Sequence, residues 1–418
     1  MIKKSLLALA IKVVGSAIGF FLGIFIAQSI GAKELGIYYL AISIVTIPLT
    51  VCIFGLNITL LRDVSKLDVE SESGVILTTI LSTCIPVLLI STFISITLFF
   101  MSEYISLHYY KNEALIYPLK LVSLSLMPIA LFSVIAHALQ GMKKLLLAML
   151  LLGVTHNLGI LSFSILYPPD SAVDFSTYYL MFSIVTLLLS VVPLCLLFKD
   201  VISGTIKISF EKVFFGSSAI FISQLLAQLY TQFPTLIVGK VYSLEEVAFY
   251  AVSLKLAMLI SFILMAVNRA ISPNFSHFFH TNQMVLLGLL VKRSTRLMLV
   301  ISVPIFLLIY FGAEYLLSLY GVGFSSAKNC LQILALSQLL YVMTGNVNVL
   351  LQMAHYESIV KDSAIVSSVF AVILSLCLIP AFGITGAAIT TLISMTLANL
   401  ISSYRAYKIL KINTLKFW

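Results

Sequence analysis

The chain has 418 residues, of which 61% are hydrophobic and 10% are charged, and its mean hydropathy is +1.11. Because soluble domains carry about a quarter charged residues, this composition excludes a water-soluble protein and predicts an integral membrane protein. The net charge of +9 does not indicate nucleic-acid binding, since the basic residues are spread along the chain instead of forming one patch.

Apolar stretches long enough to cross a bilayer, about 20 residues each, recur from end to end. The N-terminal stretch is interpreted as a retained first span, because Lys12 interrupts its apolar run and no small-residue cleavage site follows. The predicted fold is an all-α bundle of twelve transmembrane helices. The predicted spans are 8–30, 36–60, 75–101, 117–139, 145–166, 177–198, 213–238, 247–271, 297–319, 329–351, 360–380 and 384–406.

Lysine and arginine are distributed unevenly between alternate connecting segments. With the N-terminus inside, the inner segments hold 17 basic residues and the outer loops hold 4. Cytoplasmic segments are enriched in lysine and arginine. The sequence therefore predicts that both termini are cytoplasmic.

The two halves of the chain share landmarks at one offset of 212 residues. The segment Glu34–Tyr38 aligns with Glu246–Tyr250, Leu139-Gln140 with Leu351-Gln352, and Pro168 with Pro380. Each half then contains six spans, so both halves enter the membrane from the same side. We expect an N-terminal six-helix bundle at 1–206 and a C-terminal one at 207–418. They would form parallel repeats related by an axis along the membrane normal, as in secondary transporters that rock about a central site.

Polar side chains in corresponding spans of the two halves are the candidate cargo-binding residues, since lipid-facing positions hold them only at a cost. These candidates are Lys12, Asn57, Arg62, Gln224, Gln228, Gln232, Lys255 and Arg269. Lys255 is the strongest, because a lysine near mid-bilayer costs about 2.5–3.5 kcal/mol. Two interpretations are open for Lys12 and Arg269, which either face a cavity or extend to the inner interface. Arg62 is alternatively an ordinary positive-inside residue.

Several classes of function are disfavoured by residues that the sequence lacks. No carboxylate lies near the middle of a predicted span, whereas a proton-driven cation exporter usually needs one. No phosphate-binding GxxxxGK[ST] motif occurs, and no outer loop is long enough for the catalytic residues of a membrane polymerase or glycosyltransferase. His277 and His280, expected in a polar inner loop, are only a weak metal candidate. We therefore expect no enzymatic activity, cofactor or metal.

Five motifs, in this order along the chain, carry a family resemblance: GAKELGIYYLAIS, GLNITLLRDVSK, HALQGMKK, YSLEEVAFYAVSLKLA and IPAFGITGAAITTLIS. The chain resembles the polysaccharide transporter family. These proteins are the O-antigen or repeat-unit flippases of the multidrug/oligosaccharidyl-lipid/polysaccharide exporter superfamily. The resemblance extends over essentially the whole chain and implies a MATE-like fold.

The resemblance implies a function in the bacterial inner membrane. The protein would move an undecaprenyl-pyrophosphate-linked oligosaccharide from the cytoplasmic to the periplasmic leaflet by alternating access, for O-antigen or other surface polysaccharide biosynthesis. Membrane lipids, a polysaccharide polymerase and chain-length machinery would be its partners. Carried over by position, Lys12, Lys255 and Arg269 would hold the pyrophosphate or acidic sugars, and the three glutamines would bind hydroxyl groups. The alternative function is a multidrug or cation exporter of the same fold.

Overall fold

The computed structural model describes residues 2–65, 67, 72–199 and 210–414. Some helical side chains within 2–13, 210–219 and 263–276 lie outside that description. The chain forms two compact units, Met1–Leu225 and Leu226–Trp418. Within the described residues every regular element is a helix and none is a strand.

The first unit is built from eight α-helices. Their bounds are α1 Ile2–Ile53, α2 Leu56–Val64, α3 Ser73–Tyr104, α4 Ile116–Leu124, α5 Leu126–Gly141, α6 Leu145–Leu150, α7 His156–Leu166 and α8 Ala172–Leu197. Short π-helical turns at Ile105–Tyr109 and Leu151–Thr155 follow α3 and α6.

The second unit begins within α9, Phe210–Val241, which connects the two units. The remaining helices are α10 Leu244–Met258, α11 Phe262–His280, α12 Met284–Phe311, α13 Ala313–Ser318, α14 Lys328–Met343, α15 Val347–Met353 and α16 Glu357–Leu410.

Two glycines break the two longest helices. Gly31 has φ 77 inside α1, and Gly383 has φ 58 inside α16. A positive φ is readily adopted by glycine, which lacks a Cβ. Each glycine therefore divides one helix into two arms, corresponding to predicted spans 1 and 2 and predicted spans 11 and 12. The predicted connection between spans 8–30 and 36–60 was too long, because the helix resumes directly after Gly31.

Each predicted span overlaps a helix or a helix arm. Eight helices of the described part of the chain are long and apolar enough to cross a membrane. The span predicted at 297–319 was displaced, since α12 runs from Met284 to Phe311 and carries three basic residues, Lys292, Arg293 and Arg296, in its first half. His277 and His280 lie in the last turn of α11, not in a loop.

The same backbone hydrogen bonds end one helix in each unit. Lys144 N–H donates to Leu139 O at 3.0 Å, and 212 residues later Tyr356 N–H donates to Leu351 O at 2.8 Å. The residue before each donor has a positive φ, 61 in the first unit and 60 in the second. Such hydrogen bonds satisfy carbonyl groups at a helix C-terminus. Two identical helix ends at the predicted offset support an internal repeat.

A tertiary contact recurs at the same offset. The rings of Tyr38 and Tyr179 lie 6.0 Å apart in the first unit. At the corresponding positions of the second unit, the Tyr250 hydroxyl lies 2.7 Å from Thr391 Oγ1. Equivalent helices thus meet at equivalent positions in the two units, which backbone landmarks alone did not establish.

Candidate functional site

The N-terminal half of α9 packs on α2 inside the first unit. The Phe54 and Phe221 rings stack with their centroids 4.1 Å apart, and Thr59 Oγ1 lies 2.8 Å from Ser217 Oγ. Gly55, with φ 71, allows this approach, because a Cβ there would be 3.1 Å from the Phe221 nitrogen. Two of the predicted site helices therefore contact each other directly.

Asn57 and Arg62 occupy different environments on α2. Asn57 is only 9% exposed, and its Oδ1 accepts from the Ile58 amide at 2.9 Å. Arg62 is exposed, with Nε 3.7 Å from the carboxylate of the adjacent Asp63. An exposed ion pair of this kind contributes little to stability. The structure leaves the roles of both residues in cargo binding as predictions.

The predicted glutamines lie along one side of α9. Gln224, Gln228 and Gln232 are all half-buried, and their spacing of four residues places them on neighbouring turns. The adjacent Thr231 hydroxyl is occupied within the helix, donating to Ala227 O at 2.9 Å. The three amides therefore form a continuous polar stripe with hydrogen-bonding capacity suited to hydroxyl groups.

Lys255 is exposed near the C-terminus of α10, while its neighbours Ser253, Leu256 and Ala257 are buried. Within residues 246–260, Lys255 is the only exposed residue. An ammonium group turned toward hydrocarbon is costly. The role of Lys255 in cargo binding therefore stays a prediction.

Lys12 and Arg269 lie on helices of the structure, but their side chains are outside the described residues. Whether they face a cavity or extend to the interface therefore stays open. Their assignment to cargo binding is a prediction from sequence alone.

A cavity of about 140 Å³ in the first unit was missed by the sequence reasoning. It is lined by residues of α5, the π-helical turn at Leu151–Thr155, α7 and α8, among them His156, Asn157, Ser183 and Thr186. His156 Nε2 is buried without a hydrogen-bond partner. The lining surface is mostly apolar, although the volume has room for several water molecules. The adjacent polar residues His156 and Asn157, within the predicted span 145–166, were the sequence signal for this cavity.

Among the described residues, no group of three or more histidine, cysteine, aspartate or glutamate side chains has the arrangement of a metal site. Two ion pairs in the described part of the second unit, Lys328–Glu314 and Arg405–Asp362, join exposed side chains at 2.9 Å. Both pairs therefore lie at the surface.

The chain belongs to the family described as Polysaccharide biosynthesis protein, whose pattern matches residues 1–279. A second family pattern, MatE, matches residues 219–380. No curated protein matches the chain. The resemblance identified from the motifs is therefore confirmed.

The fold is that of transporters of the MOP superfamily. A multidrug resistance MATE family transporter in an inward-facing conformation superposes with a TM-score of 0.75 at 13% identity, covering 97% of this chain and 98% of that one. The lipid II flippase MurJ gives 0.75 at 14% identity, covering 96% and 87%. A MOP superfamily transporter from Pyrococcus furiosus gives 0.65 at 14% identity, covering 97% and 95%. The matched families and structures are transporters and flippases, not enzymes.

Proposed function

We propose that this protein is a flippase that moves an undecaprenyl-pyrophosphate-linked oligosaccharide from the cytoplasmic to the periplasmic leaflet. The family match and the fold shared with a lipid II flippase support this function. It would operate by alternating access of two parallel six-helix repeats, 1–206 and 207–418, with twelve spans and both termini in the cytoplasm.

The observation that carries the proposal is the exposed Lys255 in a segment, 246–260, whose other residues are buried or half-buried. A cation facing a water-filled space within an apolar protein attracts an anionic cargo, and a pyrophosphate offers two adjacent anionic groups. No carboxylate lies near the middle of a predicted span. The charge of the site therefore suits an anion better than a cationic drug.

The remaining predicted residues would complete cargo recognition. Lys12 and Arg269 would add positive charge for the pyrophosphate or for acidic sugars. Gln224, Gln228 and Gln232 are half-buried and would hydrogen-bond sugar hydroxyl groups, because amides both donate and accept. Asn57 and Arg62 would act at the inner end of the second span.

The proposed location is the bacterial inner membrane, in the pathway of O-antigen or another surface polysaccharide. The polyprenyl tail would stay in the surrounding lipid while the polar head crosses. A polymerase and chain-length machinery would take up the delivered repeat unit. The family description as a polysaccharide biosynthesis protein supports this context.

The test is transport of a fluorescent lipid-linked oligosaccharide in proteoliposomes, measured as the appearance of label in the opposite leaflet. Replacing Lys255 by alanine removes a hydrogen bond to a charged group, worth about 1.5–3 kcal/mol, which corresponds to roughly a tenfold to hundredfold loss. Lys255→Arg should retain much of the rate, because it keeps the charge. The exposed Lys33 provides the control variant Lys33→Ala. Equal transport by Lys255→Ala and wild type would refute the role of this lysine.

A multidrug or cation exporter is the second candidate, and the MatE match over residues 219–380 favours it. It predicts that expression lowers cellular accumulation of a cationic dye. Dye efflux combined with no movement of the lipid-linked oligosaccharide would replace the flippase proposal by this one.

A further inference from the structure

Two histidine rings meet at one end of the second unit. His280 is the last residue of α11, and His355 lies between α15 and α16. Their ring centroids are 5.4 Å apart with an interplanar angle of 59°. Both side chains are exposed, and both positions fall in predicted inner segments, outside the predicted spans.

The neighbouring residues hold these two rings in place. Phe279 and Tyr356 form an edge-to-face pair with centroids 6.4 Å apart. Both pack against a buried apolar cluster that includes Phe275. Each histidine is therefore adjacent in sequence to an aromatic residue that packs against the core. This packing holds the two imidazoles close together without any bond between them.

Backbone hydrogen bonds further define both segments. Thr281 N–H donates to His277 O at 3.0 Å at the end of α11, and Tyr356 N–H donates to Leu351 O at 2.8 Å beyond α15. His355 has φ 60, which places it at a left-handed helix cap. The C-terminus of a helix such as α11 carries partial negative charge. The end of α11 therefore favours a cation.

The separation of the rings matches two imidazoles that share one metal ion. A Zn–N bond of about 2.0–2.1 Å added to the distance from the nitrogen to the ring centre puts each centroid about 3.2 Å from the metal. A tetrahedral angle then separates the centroids by about 5.2 Å, and a linear arrangement by about 6.4 Å. The observed 5.4 Å lies within this range.

We propose that His280 and His355 together bind a divalent transition metal ion such as Zn²⁺ or Ni²⁺, joining the end of α11 to the connection between α15 and α16. Imidazole nitrogen is a preferred ligand of these ions. No set of three protein ligands occurs among the described residues, so water completes the coordination. The site is independent of the cargo proposed above.

The test uses the full-length protein in detergent with its affinity tag removed, titrated with ZnCl₂ or NiCl₂ at pH 7.5 and followed by calorimetry and thermal unfolding. Wild type should bind one ion and melt at a higher temperature as metal is added. His280→Gln and His355→Asn should each weaken binding at least tenfold; asparagine tolerates the positive φ at position 355.

His277→Gln is the matched control, because His277 is an exposed histidine one turn earlier on the same helix. It should bind metal like wild type. Unfolding curves without metal show whether each variant is folded. Metal binding that is unaffected in both His280→Gln and His355→Asn overturns the proposal, as does an equal loss in His277→Gln or the absence of binding by wild type.

Discussion

The close contact between α1 and the π-helical turn at Leu151–Thr155 predicts that a small substitution there will destabilise the protein. Gly15 is buried on α1. A Cβ at Gly15 would lie 2.8 Å from the carbonyl carbon of Gly153, closer still to its oxygen, and 3.3 Å from Val154 Cγ2. Ordinary van der Waals contact begins at 3.4 Å. Gly15→Ala must therefore push the two backbones apart by at least about half an ångström, because the obstructing atoms belong to the main chain.

We expect the separation to destabilise the protein by about 1–3 kcal/mol, the usual cost of overpacking. Small residues allow close approach of helices in membranes. We therefore expect the lost stability to come from weaker packing of α1. The measurement is thermal unfolding of the purified protein in detergent. Gly153→Ala tests the opposite side of the same contact, since nothing lies within 4 Å of the Cβ it would add.

Gly153→Ala should melt at or slightly above the wild-type temperature, because alanine is favoured over glycine in a helical segment. The reasoning would be refuted if Gly15→Ala melted like wild type. It would also fail if the Gly153 variant lost as much stability as the Gly15 variant, since only a Cβ added at Gly15 clashes with neighbouring atoms.

Two further predictions concern contacts between distant segments. In a cysteine-free background, Thr59→Cys combined with Ser217→Cys should form a disulfide on mild oxidation, because the native oxygens are 2.8 Å apart; maleimide labelling of both thiols after oxidation would contradict this contact. Glu34→Ala should lower stability by about 1.5–3 kcal/mol, because Glu34 Oε2 accepts from the Ala172 amide at 2.9 Å at the start of α8. Lys33→Ala, at an exposed position, should melt unchanged, and equal melting of both variants would exclude a stabilising role for this hydrogen bond.

Membrane insertion, helical class and internal repetition were predictable from sequence because each depends on short segments. Hydrocarbon requires every backbone polar group to be satisfied within the segment, so apolar runs of sufficient length indicate helices. The offset of 212 residues could be identified from a few landmarks, and the helix ends at Lys144 and Tyr356 follow it.

Helix boundaries were less predictable. The sequence predicted a connection at 31–35 between the first two spans, whereas a single glycine, Gly31, breaks α1. It also began the ninth span too late, because Lys292, Arg293 and Arg296 lie within α12. Charged side chains can extend from a helix to the interface, so a charge in the sequence does not reliably mark a helix end.

For the candidate site, the sequence by itself determined that Lys255 is costly in lipid and that the glutamines share one side of a helix. Only the tertiary structure decided that Lys255 is exposed, that α9 packs on α2 through Gly55, and that His280 meets His355. Hydropathy and helical periodicity are properties of neighbouring residues. Contacts between residues more than seventy positions apart depend on how side chains of particular shapes pack, which local sequence patterns do not specify.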